Sequence, residues 1–203
     1  MRLGYVRKRD LIEGYGALYS DELGIRLRPK NDREIFKWFL ASVLFGAPIG
    51  EKNAKKTYGI FDSGGVTTPE RILKTGWEGL VRLLDEGGYT RYDFKTADKL
   101  LEMASNFRER YGSSMTELYA RSRGEAELER NLKALAKGVG PITIDIFLRE
   151  MSGIWKVRPE HTPTAVRTAR SLKIKLGPKF DKRLEAALVR YAHSKKRMLR
   201  PTS

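Results

Sequence analysis

The sequence predicts an all-α fold, a two-lobed bundle of about nine or ten helices with a helix-hairpin-helix motif. Three observations lead there. Apolar residues recur at three-to-four spacing in one segment after another. Capping residues, prolines and glycines punctuate those segments where helices start and stop. Only Ile25-Arg26-Leu27-Arg28 alternates in the manner of a strand. With 203 residues the chain is long enough to bury roughly 70% of its unfolded surface, and it needs no staple to hold a core.

The elements follow in order. Asp32 is the expected cap of a helix carrying Ile35, Phe36, Phe39, Leu40, Val43 and Leu44 on one face. Glu51 to Tyr58 reads as a short polar helix. Thr68-Pro69-Glu70 places a cap before a first-turn proline and opens a helix through Leu73. A second helix starts at Thr75 or Gly76, buries Trp77, Leu80, Val81 and Leu84, and stops at Gly87-Gly88. Asp93 to Tyr111 is the longest, with Ala97, Leu100, Leu101, Ala104 and Phe107 inward. Ser114 to Ala120 and Glu125 to Ala136 follow. Another helix runs from the Gly138 turn to about Met151, Thr162-Pro163 opens one through Leu172, and the last spans Phe180 to about Arg197. We expect residues 31–150 to form one lobe that includes the hairpin at 125–151. Residues 1–30 with 151–203 would form the second.

Charge narrows the function. Forty Lys and Arg against 25 Asp and Glu give a formal charge of +15 and a pI near 10.0, which favours a polyanionic partner. From Lys173 onward ten Lys and Arg face only Asp181 and Glu185, and Lys195, Lys196, Arg197 and Arg200 form a phosphate-contacting cluster. The absence of cysteine excludes disulfides, thiolate zinc sites, cysteine nucleophiles and cysteine-held iron–sulfur clusters. Two histidines, His161 and His193, are too few for a multi-histidine metal site. No apolar run is long enough for a bilayer and the first residues have no signal-peptide core, so the expected location is the cytoplasm or nucleoid, without a membrane.

The densest local signal is Leu135-Ala136-Lys137-Gly138-Val139-Gly140-Pro141. One helix enters this turn and another leaves it at once. Glycine permits the positive φ of a sharp reversal and lets a ligand approach the backbone. The unpaired N–H groups opening the second helix suit a phosphate oxygen. Val139 between the glycines can plug the turn into the core.

Gly138-Val139-Gly140-Pro141-Ile142-Thr143-Ile144-Asp145, preceded by Leu135, resembles the helix-hairpin-helix of the DNA glycosylase superfamily that includes endonuclease III, MutY-type adenine glycosylases and 3-methyladenine DNA glycosylase II. Phe36 to Gly46 is similar to an upstream helix of that family. Glu51-Lys52-Asn53-Ala54, Thr67-Pro69-Glu70 and Lys95-Thr96-Ala97 are similar to its later landmarks, in the same order, over about residues 31–172. The resemblance implies a duplex DNA partner, a base flipped into a cleft, and a backbone phosphate held by Gly138 and Gly140. It also implies a monovalent cation on the carbonyls of Gly138 and Gly140, no other cofactor, and a monomer.

The resemblance further implies a catalytic carboxylate after the hairpin, since glycosidic cleavage builds positive charge on the sugar. The family uses Asp there, and the window Val157 to Arg167 contains none. Counting 18 residues on from Ile142 lands on Glu160 and counting 20 lands on Thr162. Glu160 is therefore the expected catalytic carboxylate, with His161 and Thr162 beside the flipped nucleotide. Lys137, Val139 and Thr143 join the hairpin glycines on the DNA side, together with Lys195, Lys196 and Arg197. Ile142 stands where bifunctional members carry a Schiff-base lysine, so a monofunctional enzyme of base excision repair is expected. Pro48 replaces the intercalating amide, Asp145 reads as structural, and Trp38, Trp77, Trp155 and Tyr92 are available to stack on a base. The missing Asp supports a second reading, a catalytically silent DNA-binding protein. RNA binding through the basic tail is a third.

Overall fold

The apolar segments gather around one buried helix. In the computed structural model, which describes residues 6–198 and side chains as far as Lys195, α3 (Asp32–Phe45) is buried on nearly every face. Its predicted stripe is inward, and so are Trp38, Ala41 and Ser42. A helix apolar all round belongs in the centre of a core. Trp38 donates its indole N–H to the Phe147 carbonyl at 3.1 Å, which ties α3 to α9 (Pro141–Met151). Asn31, not Asp32, caps α3 by accepting from the Glu34 N–H. Asp32 instead accepts from Ser114 Oγ and from the N–H and Oγ1 of Thr116, each at 2.7 Å, and so pins the start of α7 (Met115–Ala120).

Eleven helices are seen among the described residues, more than expected, because two short ones precede α3: α1 (Lys8–Tyr15) and α2 (Tyr19–Glu22). No strand is present among those residues, and Ile25 to Arg28 has no regular structure. The polar helix α4 (Glu51–Ser63) is longer than expected. The predicted pair of helices within α5 (Pro69–Gly87) is real: Gly76, at φ 67° and ψ 174°, breaks the helix where sequence placed the boundary. Thr68 caps this element and left-handed Gly88 ends it. α6 (Asp93–Tyr111) packs back along it, and α8 (Glu125–Lys133) leads into the hairpin.

Packing falls into two clusters. The larger surrounds α3 and takes in Ile25, Tyr19, Leu23, Trp155 and Val157. The smaller joins Leu11 of α1 to Ala165, Ala169 and Leu172 of α10 (Pro163–Ser171) and its end, and to Leu184, Ala187 and Leu188 of α11 (Lys182–Met198). Residues 19–27 therefore pack with the larger cluster rather than with the ends of the chain. Glu150 is the reason: its buried carboxylate accepts the N–H groups of Tyr19 and Ser20 at 2.9 and 3.0 Å and holds α2 against α9. The Tyr19 ring stacks on Phe45 and lies 4.1 Å beneath the Arg190 guanidinium of α11, which closes the seam between the clusters.

Candidate functional site

The hairpin is built as its sequence requires. Gly138 adopts φ +91°, Gly140 is extended, and Pro141 occupies the first turn of α9. Val139 is 5% exposed and its N–H donates to the Ala136 carbonyl, so it anchors the turn and does not face a ligand. Thr143 is likewise not at the surface. It is 3% exposed and packs on Gly46, where any added Cβ would collide with its hydroxyl. The helix face that begins at Pro141 turns Thr143 toward α3, which is why sequence adjacency to the hairpin misplaces it. Ile142 lies on the opposite, open side at 64% exposure.

The N–H groups of Gly138 and Gly140 have no acceptor among the described residues. Nothing would lie within 4 Å of a Cβ at Gly140, so the backbone there is open to approach. α6 braces the turn from behind: Glu102 accepts the Lys137 N–H at 3.0 Å, and Asn106 donates to the Leu135 carbonyl at 2.9 Å. Lys137 keeps its side chain exposed. Lys99, one turn earlier on α6, lies over Gly138, with its Cε 3.0 Å and its Nζ 3.5 Å from where a Cβ would stand. Its ammonium has no ion pair or hydrogen bond among the described residues, and burial holds its pKa below the ordinary lysine value. The carbonyl of Gly140 already receives the Ile144 N–H, which leaves a second lone pair for the expected cation.

Between the two helices of the hairpin and the loop that follows α9 lies a cleft of about 360 Å³. Glu125 and Glu129 of α8 and Asp145 and Arg149 of α9 line one wall; Arg158 to Pro163, Phe180 and Glu185 line the other. The loop is fixed by two donations, Lys156 N–H to Tyr119 Oη and Arg158 N–H to Glu125, at 2.9 and 3.1 Å. Glu160 is exposed and makes no hydrogen bond or ion pair among the described residues. It faces this cleft and also a larger one, about 1190 Å³, bounded by Ser152, Gly153 and the start of α11. Burial and the nearby Glu129 carboxylate raise the pKa of Asp145 above the ordinary aspartate value. Arg149 is 6% exposed, its Nε and Nη2 have no hydrogen-bond acceptor among the described residues, Nη2 lies 4.0 Å from Glu150 Oε1, and its guanidinium lies 5.6 Å from the Tyr19 ring.

The deepest carboxylate of the cleft escaped the sequence reading. Glu185, 1% exposed, comes from α11 and meets the N-terminus of α10. Its Oε1 accepts from the Thr162 N–H at 3.0 Å and from Thr162 Oγ1 at 2.7 Å, and its Oε2 lies 2.6 Å from His161 Nδ1. Thr162 also caps α10 by accepting the Ala165 N–H, so its hydroxyl is fully engaged within the protein. Sequence alone assigns Lys99, Arg149 and Glu185 no place at the hairpin or the cleft, because only the fold brings them there. Lys195 is exposed and lies 5.5 Å from the Tyr191 ring; the side chains of Lys196 and Arg197, and Arg200, fall outside the described residues. Of the aromatics, Trp38 and Trp155 are core, Trp77 pairs with Phe94 on the surface, and Tyr92 packs at the edge of the larger cluster.

Compared with protein-family models, curated proteins and solved structures, the chain matches none. No described helix is long and apolar enough to cross a membrane.

Proposed function

We propose that this protein is a monofunctional DNA N-glycosylase of base excision repair: it grips duplex DNA with the Gly138–Gly140 hairpin and excises an extruded base in the cleft beside it. One juxtaposition carries the reading. Backbone donors and a Lys99 ammonium without partners among the described residues stand at the hairpin tip, and Asp145, the nearest carboxylate of the cleft on α9, lies four residues, about 6 Å along the helix, beyond Pro141. A backbone phosphate fits the first place, because N–H groups at a helix start and a nearby cation both favour an anion. A sugar that turns cationic as its base departs fits the second, which gathers carboxylates from α8, α9, α11 and the loop between.

Within the cleft, Glu160 is the exposed loop carboxylate that faces the sugar, with no partner among the described residues. Ile142 supplies no amine, so the product is an intact strand with an abasic site. The test is single-turnover cleavage of labelled duplexes carrying uracil, alkylated purines, hypoxanthine, oxidised bases or mismatches, read with and without hot alkali. Strand breaks that need alkali, on one class of base, are the expected result. Breaks without alkali would contradict the monofunctional assignment. Tight duplex binding with no excision would favour the second reading, a silent DNA-binding protein, for which the absence of Asp from residues 157–167 is the specific support.

A further inference from the structure

The proposed excision needs a water molecule deprotonated beside the sugar, and exposed Glu160 has no partner among the described residues to hold it in register. His161 is held from three directions. Its Nδ1 lies 2.6 Å from Glu185 Oε2, its ring packs on Phe180 with centroids 5.1 Å apart, and its neighbour Thr162 begins α10. Glu185 is itself immobilised: Thr162 occupies its other oxygen with two donors, at 3.0 and 2.7 Å. A buried carboxylate beside Nδ1 selects the tautomer that carries its proton there and leaves Nε2 as an acceptor. Nε2 has no partner among the described residues, and His161 lines the cleft. A helix cap alone would require Thr162 and the carboxylate; it would not require the imidazole.

We infer that His161, oriented by Glu185, is the proton acceptor for the hydrolytic water, an inference that rests on the glycosylase reading above. The water oxygen bonds to C1′ of the extruded nucleotide as His161 Nε2 takes its proton. The C1′–N bond breaks and its electron pair leaves with the base. The imidazolium returns the proton to the departing base, so one water is consumed and no other co-reactant is needed. His161 is the catalytic residue in this step, Glu185 is a positioning residue, and Glu160 stabilises the charge on the sugar.

The test uses the lesion duplex that the wild-type protein cleaves, with dissociation constant, single-turnover rate and melting temperature measured on the same samples. His161→Asn keeps a donor for Glu185 and loses the base; its rate should fall by about 100-fold or more while duplex affinity changes by less than about twofold. Added imidazole should restore part of the rate of His161→Gly, a readout that a purely structural role would not move. Glu185→Gln should slow excision by roughly tenfold, and Glu185→Asp should recover part of that loss. If the wild type excises and His161→Asn keeps pace within about threefold, the inference fails and the glycosylase reading stands. If the wild type binds duplex and excises nothing, both fail together.

Discussion

The hairpin tip and the cleft beside it are neighbours of opposite character. The tip offers donors: two N–H groups without an acceptor among the described residues and the Lys99 ammonium, on a turn whose conformation is fixed by adjacent residues. The cleft offers acceptors, Glu129, Asp145, Glu160 and Glu185, contributed by four separate segments. The contrast teaches that a chain of net charge +15 still gathers carboxylates into one cleft beside an array of donors, the separation that the proposed function requires. Under the proposed function, the donors at the tip hold the backbone and the carboxylates of the cleft face the sugar.

The comparison can be broken from either side. The largest effect belongs to the cleft. Glu160→Gln should reduce the single-turnover excision rate by about 100-fold and leave the duplex dissociation constant unchanged. An equal loss of affinity would show that Glu160 belongs to the binding surface instead.

At the tip, Gly138→Ala forces a Cβ onto a residue at φ +91° and toward Lys99 Cε at 3.0 Å. It should cost about 1–2 kcal/mol of stability, seen as a lower melting temperature, and weaken duplex binding by about tenfold at fixed salt. Lesion preference should not change, because phosphate contacts position the protein without reading sequence.

A smaller effect is expected at Lys99. Lys99→Met should lower duplex affinity several-fold at low salt and reduce the slope of log affinity against log salt by about one. Burial holds the folded pKa of Lys99 below its unfolded value, so its charge is lost at lower pH than that of exposed lysines. Between the two values the unfolded chain binds more protons, and the Lys99 contribution to stability rises with pH. Duplex affinity should begin to fall in that same window in the wild type, and Lys99→Met should lack this phase.

The smallest change is at Asp145. Its folded pKa is raised, so just above the ordinary aspartate range the native state binds more protons and stability falls as pH rises. Asp145→Asn should raise the melting temperature slightly at neutral pH and flatten its pH dependence. A decrease would show that the charge of Asp145 is supported by neighbours rather than merely tolerated.

What was legible in the sequence follows the same division. The hairpin could be read because Gly138, Val139, Gly140 and Pro141 specify their own turn, and the break at Gly76 could be read for the same reason. Element boundaries set by local caps, such as Thr68 and Thr162, were recoverable as well. Helix α2 was not, since four residues cannot form a stable helix alone and its N–H groups are satisfied by Glu150, 131 and 130 positions away. Asp32 was misplaced as a cap because Asn31 beside it serves that role equally well, while the partners of Asp32 lie on α7. Glu185 joins Thr162 across 23 residues and a whole helix, and nothing local marks a carboxylate in the first turn of α11 as part of a cleft. Lys99 likewise reads as one more surface lysine until α6 is laid against the hairpin.

The proposed function assigns duplex binding to the tip and base excision to the cleft. The most direct measurement is a double-mutant comparison of Gly138→Ala, Glu160→Gln and the combined variant, with duplex affinity and saturating single-turnover rate read on one lesion substrate. Separate sites predict that the combined variant has the affinity of Gly138→Ala and the rate of Glu160→Gln, because effects at sites without shared partners add. A Gly138→Ala protein with wild-type affinity, or a combined variant whose losses in rate and affinity cannot be assigned one to each parent, would contradict the account.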